Sequence, residues 1–142
     1  MEDKFNLKRF IDAQSNTYER ALDEIKNGRK ASHWMWYIFP QYHGLGSSST
    51  SVKYAINSEE EAVSYLKHPI LGSRLIVITK AFLLIENKTA YDVLGGPDDL
   101  KIKSSMTLFD AIETETALFD SVLEKYFEGN RCRPTISALK NE

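Results

Sequence analysis

Apolar positions recur at three- and four-residue intervals along most of the chain. Leu7, Phe10, Ile11, Gln14, Tyr18, Ala21, Leu22 and Ile25 mark one face of a long amphipathic helix. Asn27-Gly28 supplies its C-terminal stop, and Arg29 and Lys30 follow where the helix dipole favours cations. The pattern then breaks. Trp34 to Phe39 is apolar or aromatic throughout, so periodicity cannot separate a buried strand from a buried helical turn, and Pro40 ends either one. Residues 41–51 read as a loop, and Val52, Tyr54 and Ile56 alternate with Lys53, Ala55 and Asn57 in a weak extended signal. Ser58-Glu59-Glu60-Glu61 has the form of a capping box, which predicts a short helix to Lys67. Pro69 suits the first turn of the next helix, whose buried stripe is Leu71, Leu75, Ile78, Phe82 and Ile85. Ile76, Val77, Leu83 and Leu84 make that helix apolar on its other faces too, so it is expected to be central.

Thr89 begins a brief helical turn that ends at Gly95-Gly96. Pro97-Asp98-Asp99 opens another helix, with two carboxylates at the positive end of its dipole and Ile102, Met106, Phe109 and Ile112 on its apolar face. Leu118, Phe119, Val122, Leu123, Tyr126 and Phe127 form the next, Gly129 terminates it, and Pro134 to Lys140 add a last turn. The sum is an all-α fold, residues 1–142 forming one multi-helix bundle with about five longer and two or three short helices. The competing architecture is α+β, with residues 34–39 paired against 52–56.

Composition narrows the function classes. Formal net charge is −2, with 18 basic and 20 acidic residues interspersed, so neither a nucleic-acid footprint nor a polybasic membrane patch is present. Cys132 is the single cysteine, which rules out an internal disulfide and fits a reducing compartment. No secretory signal pattern is seen, and the apolar-rich run Leu75–Ile85 is too short to span a bilayer. A soluble cytoplasmic protein is expected. His43, His68 and Cys132 lack ligand-spaced partners, so no metal motif is present, and no cofactor motif is found. The Gly44-Leu45-Gly46 string follows no clear strand and opens no matching helix, so it fails as a dinucleotide or phosphate-loop signature.

Two strings carry candidate chemistry. In the first, His33, Trp34, Trp36 and Gln41 precede the Gly44/Gly46/Ser47 loop. An aromatic wall stacks a planar ring, a histidine exchanges a proton near neutral pH, and a Gly/Ser loop exposes backbone N–H groups to an anion. The alternative reading places the tryptophans in the core and His33 at a helix cap. In the second string, a helical turn of about 100° per residue puts Asp98, Lys101 and Ser105 on or beside an apolar face. Polar groups there must pair with one another, with backbone or with a ligand. Lys101 with Ser104 or Ser105 could hold a phosphate, while Lys103 and Thr107 point the other way, toward solvent. Alternatively, Lys101 extends past apolar surface to water, and Ser104 or Ser105 starts a new helix after a kink. Cys132 lies between Arg131 and Arg133, where cations favour a thiolate, or is a bystander near a frayed end.

The strings Phe5…Arg9-Phe10…Asp12-Ala13-Gln14, His33-Trp34-Met35-Trp36-Tyr37-Ile38-Phe39-Pro40-Gln41, Gly44-Leu45-Gly46, His68-Pro69…Leu71-Gly72…Arg74-Leu75 and Ser104-Ser105-Met106-Thr107-Leu108-Phe109 resemble one family. It is the bacterial domain-of-unknown-function family 1810, whose members are often labelled "calpastatin". The resemblance spans Phe5 to Thr135. It implies a small, mostly helical cytoplasmic domain and no established activity. Inhibitors of the calpastatin type are disordered, weakly hydrophobic chains, unlike this strongly periodic, aromatic-rich one. Two functions are therefore carried forward. One is a pocket for a small anionic, nucleotide-like ligand where the His33–Gly46 segment meets the Lys101–Ser105 helix. The other is a non-catalytic interaction or homodimerisation domain using Tyr37, Tyr42 and Tyr54.

Overall fold

The first amphipathic stripe is one face but two helices. A computed structural model describes residues 3–113 and 115–142. In it α1 (Lys8–Gln14) and α2 (Tyr18–Lys26) are separated at Ser15-Asn16-Thr17. The Ser15 hydroxyl donates to the Asp12 carbonyl and the Thr17 hydroxyl to the Ala13 carbonyl, so short polar side chains compete with the helical ladder. Phe10 and Gln14 on α1 and Tyr18, Ala21, Leu22 and Ile25 on α2 still face inward.

The Trp-rich run folds as a single helical turn, α3 (Met35–Ile38). A second short helix, α4 (Ser49–Lys53), replaces the expected loop end and extended signal; Ser48 caps it by accepting from the Ser51 N–H at 3.1 Å. Among the described residues there is no strand. One parallel bridge joins Tyr42 to Ile56, so the pairing partner of the 52–56 stretch is the segment after Pro40 rather than residues 34–39.

α5 (Glu59–Lys67) begins at the predicted Ser58 cap, which accepts from the Glu61 N–H at 3.0 Å. The Glu61 carboxylate accepts from the Asn57 N–H instead of the Ser58 N–H. α6 (Leu71–Leu83) starts two residues beyond Pro69; His68 Nδ1 accepts from the Ile70 and Leu71 N–H groups at 3.1 and 3.3 Å. α5 and α6 meet closely at Gly72, where a Cβ would lie 1.9 Å from the Leu66 carbonyl oxygen. α7 (Ala90–Leu94) carries a full capping box between Thr89 and Asp92.

α8 (Asp98–Ile112) runs unbroken through Ser104 and Ser105. It is the enclosed helix: Ser104 to Phe109 are six consecutive buried residues, whereas α6 leaves Val77 exposed, and Leu84 at its C-terminal cap is exposed too. Small Ser and Thr side chains let α5, α7, α9 (Leu118–Phe127) and α10 (Arg133–Lys140) all pack against α8. Phe109 lies between Tyr65 and Phe119, at centroid distances of 5.7 and 5.8 Å.

Two polar residues expected near water are tied into this centre. Thr107 is buried; its hydroxyl donates to the Lys103 carbonyl at 2.8 Å and accepts from the Cys132 N–H at 3.0 Å. The Cys132 sulfur accepts from Ser104 and Thr135 hydroxyls, each at 3.2 Å. The chain end therefore folds back onto α8 through hydrogen bonds. No helix among the described residues is long and apolar enough to cross a membrane.

Candidate functional site

A cleft of about 560 Å³ lies between the 41–46 loop, the 51–57 stretch, Trp36 and the first turns of α8. Its volume lies within the roughly 300–1,000 Å³ usual for small-molecule sites.

Backbone pairing builds one wall. The Ile56 N–H donates to the Gln41 carbonyl at 2.8 Å, and the His43 N–H donates to the Ile56 carbonyl at 2.9 Å. Arg9 on α1 holds the same stretch from behind. Its Nε donates to the Lys53 carbonyl and its Nη2 to the Ala55 carbonyl and the Glu61 carboxylate; Nη1 donates to the Phe5 and Asn6 carbonyls. All five guanidinium donors are satisfied, and the ion pair with Glu61 is at 2.7 Å with little solvent contact. Tyr42 is fixed at its far end by donating to the Glu142 carboxylate, which also accepts from the Glu59 N–H at 2.8 Å. Burial, and then that hydrogen bond, push the Tyr42 phenol up to about 12, so it stays protonated at neutral pH.

The other wall carries the charge. Lys101 Nζ lies 3.2 Å from Asp98 Oδ1 and 4.3 Å from the centre of the Trp36 ring. Asp98 Oδ2 takes a second ion pair, with Lys30 at 2.9 Å. Two ammonium groups thus share one carboxylate, leaving one positive charge in excess. The described lining residues include Lys101 but no Asp or Glu. Lys101 has three N–H donors, and Asp98 and the Trp36 face engage it on two sides.

The polar groups left over face the same space. The Gln41 amide and the His43 imidazole line the cleft, and no side-chain hydrogen bond engages either among the described residues. Leu45, Val52 and Leu100, from three separate elements, stand around it with 36%, 61% and 58% of their surface exposed. An apolar body entering the cleft would cover all three.

A family profile described as "Protein of unknown function (DUF1810)" matches residues 4–139. The chain belongs to the DUF1810 family. A crystal structure titled as the conserved hypothetical protein Rv1873 from Mycobacterium tuberculosis is similar to this DUF1810 chain at 43% identity. The alignment covers 97% of this chain and 99% of that one, with a TM-score of 0.96. Curated protein sequences yield no match.

In this DUF1810 chain the two strings singled out from sequence do meet. Trp36, Gln41, Gly44, Gly46, Lys101 and Ser104 all line the cleft. His33, Trp34 and Ser105 do not. His33 is exposed outside it, and its carbonyl accepts from the Tyr37 hydroxyl at 3.3 Å. Trp34 is a core residue whose Nε1 donates to Glu24 at 2.8 Å. Ser105 is fully buried, and its hydroxyl has no partner among the described residues. Sequence reasoning left out His43, Asn57 and Leu100, and assigned Tyr42 and Tyr54 to a partner surface although both line the cleft. The available signal was the Pro40 break: residues just after it were free to pair with the extended stretch that follows.

Proposed function

We propose that this DUF1810 domain binds a small ligand with one anionic group and a planar or apolar body in the cleft between the 41–46 loop and α8. The observation that carries this reading is Lys101. It is held toward the cleft by Asp98 and Trp36, in a lining with no carboxylate among the described residues, and its charge is not cancelled by the Lys30–Asp98–Lys101 set. A carboxylate or phosphate monoester takes the remaining Lys101 donor, a charge-assisted hydrogen bond of the stronger kind. The Gln41 amide donates to or accepts from the same group, and Leu45, Val52 and Leu100 cover the body. One excess positive charge suits one anionic group, a carboxylate or a phosphate monoester, better than the larger charge of a pyrophosphate. The His43 imidazole lines the same space and can hydrogen-bond a bound molecule, whereas the Ser104 hydroxyl, though in the lining, donates within the protein to the Leu100 carbonyl and the Cys132 sulfur.

The test is a thermal-shift screen of aromatic carboxylates, aryl phosphates, nucleoside monophosphates and dinucleotides. A ligand at 100 times its dissociation constant stabilises a native state by about 2.7 kcal/mol, a rise of several degrees for a domain of this size. Single-anion compounds should shift the melt of the parent, and the shift should disappear in Lys101→Met and shrink in Gln41→Leu. No shift with any class, or shifts that persist in Lys101→Met, would remove the basis for the cleft as a binding site.

A further inference from the structure

A second surface lies apart from the cleft. Val77, Ala81 and Leu84 follow one another at four- and three-residue spacing along α6 and its C-terminal cap, and Ile85 extends them. They floor a groove of about 380 Å³, with Lys26 from the last turn of α2 and Lys80 from α6 in its lining. Val77 is 48% exposed and Leu84 76% exposed. Among the described residues neither lysine takes part in an ion pair.

Spacing and charge together specify the occupant. A stripe at i, i+4 and i+7 runs roughly 10 Å along the helix, the footprint onto which a second helix packs its own apolar ridge. A two-fold contact between copies through this face would bring four lysines together, so like charge opposes self-association here. We propose that the groove docks an amphipathic helix of a partner protein whose apolar face is flanked by Asp or Glu. The apolar residues supply contact area, and Lys26 and Lys80 select the acidic flanks.

The experiment uses the full chain and a fluorescent synthetic peptide of about fifteen residues, long enough to form helix on binding. The peptide carries Leu at three- and four-residue spacing with Glu on either side; a matched peptide has Lys in place of each Glu. Anisotropy should show saturable binding of the acidic peptide and at least about tenfold weaker binding of the basic one. Leu84→Ser should weaken the acidic peptide by about tenfold. Lys26→Glu combined with Lys80→Glu should reverse the preference between the two peptides. Lys101→Met should leave peptide binding unchanged, which separates this surface from the cleft. These side chains are on the surface, and circular dichroism verifies that each variant is folded. Absence of binding by the acidic peptide, equal binding of both peptides, or full binding to Leu84→Ser would overturn the proposal.

Discussion

Glu24 ties the end of α2 to the Trp-rich stretch, and its charge should be readable in the stability of the whole fold. Its Oε1 accepts from the Ala31 N–H at 2.8 Å, the Ser32 N–H at 3.0 Å and the Trp34 indole N–H at 2.8 Å; its Oε2 accepts from the Ser32 hydroxyl at 2.6 Å. Burial pushes the carboxyl up, but these four donors outweigh it and bring it down from the ordinary 4.5 to about 2. Taken in full, that difference is worth about 3 kcal/mol. The carboxylate is partly open to water, so screening reduces the expected contribution to about 1–2 kcal/mol. The sign follows from the depressed value. The stabilisation is complete above the unfolded-state value near 4.5 and is lost as pH falls toward about 2. Glu24→Gln keeps an oxygen for the three donors on Oε1, and its amide can donate to the Ser32 hydroxyl, so the substitution removes charge while preserving shape. Urea unfolding followed by tryptophan fluorescence should show the variant about 1–2 kcal/mol less stable at pH 7, with the gap narrowing below pH 4.5. A variant equal to the parent at pH 7, or a gap that does not change with pH, would refute the assigned role.

Three other perturbations have expected magnitudes. Gly72→Ala places a methyl group 1.9 Å from the Leu66 carbonyl oxygen, which must force α5 and α6 apart at a cost of about 3 kcal/mol; a thermal melt within a degree of the parent would contradict the close approach. Arg9→Met leaves the Glu61 carboxylate buried without its cation and frees the backbone behind the cleft, so the loss of stability should be about 3–5 kcal/mol in urea unfolding; a loss below about 1 kcal/mol would show the pair to be dispensable. Thr107→Val removes the acceptor for the Cys132 N–H, costing about 1–2 kcal/mol, and hydrogen exchange in α10 should accelerate ahead of exchange in α8; unchanged exchange in α10 would argue against that tether.

The helical plan was legible wherever apolar residues kept a 3.6-residue period, as on α2, α6 and α9. It failed where local polar chemistry intervened. Ser15 and Thr17 diverted backbone acceptors and split α1 from α2, and Ser48 capped a short helix in a stretch too small and polar to show a period. On α8 the inward place of Ser105 was legible from helical spacing, but Thr107 was expected toward solvent and is buried, because a short hydroxyl side chain carries no apolar signal. For the cleft, a meeting of the His33–Gly46 segment with the Lys101–Ser105 helix could be anticipated from polar residues hard to place in solvent, although His33, Trp34 and Ser105 stand outside the lining. Choosing between Trp34 and Trp36 could not. Both sit in an unbroken apolar run, and the carboxylate that draws Trp34 inward comes from Glu24, ten residues earlier on another element. The role of Arg9 behind the cleft had no signal in residue spacing, since its partners at Lys53, Ala55 and Glu61 are brought to it only by the tertiary fold.

The two tryptophans make the most direct test of the binding cleft. In a ¹⁵N-labelled sample titrated with an aromatic carboxylate or aryl phosphate, the indole signal of Trp36, which lines the cleft, should move and saturate. The signal of Trp34, buried and bonded to Glu24, should stay in place. The same titration of Lys101→Met should leave both signals still. Movement confined to residues outside the 41–57 stretch and the first turns of α8, or a Trp36 shift that survives Lys101→Met, would contradict the account.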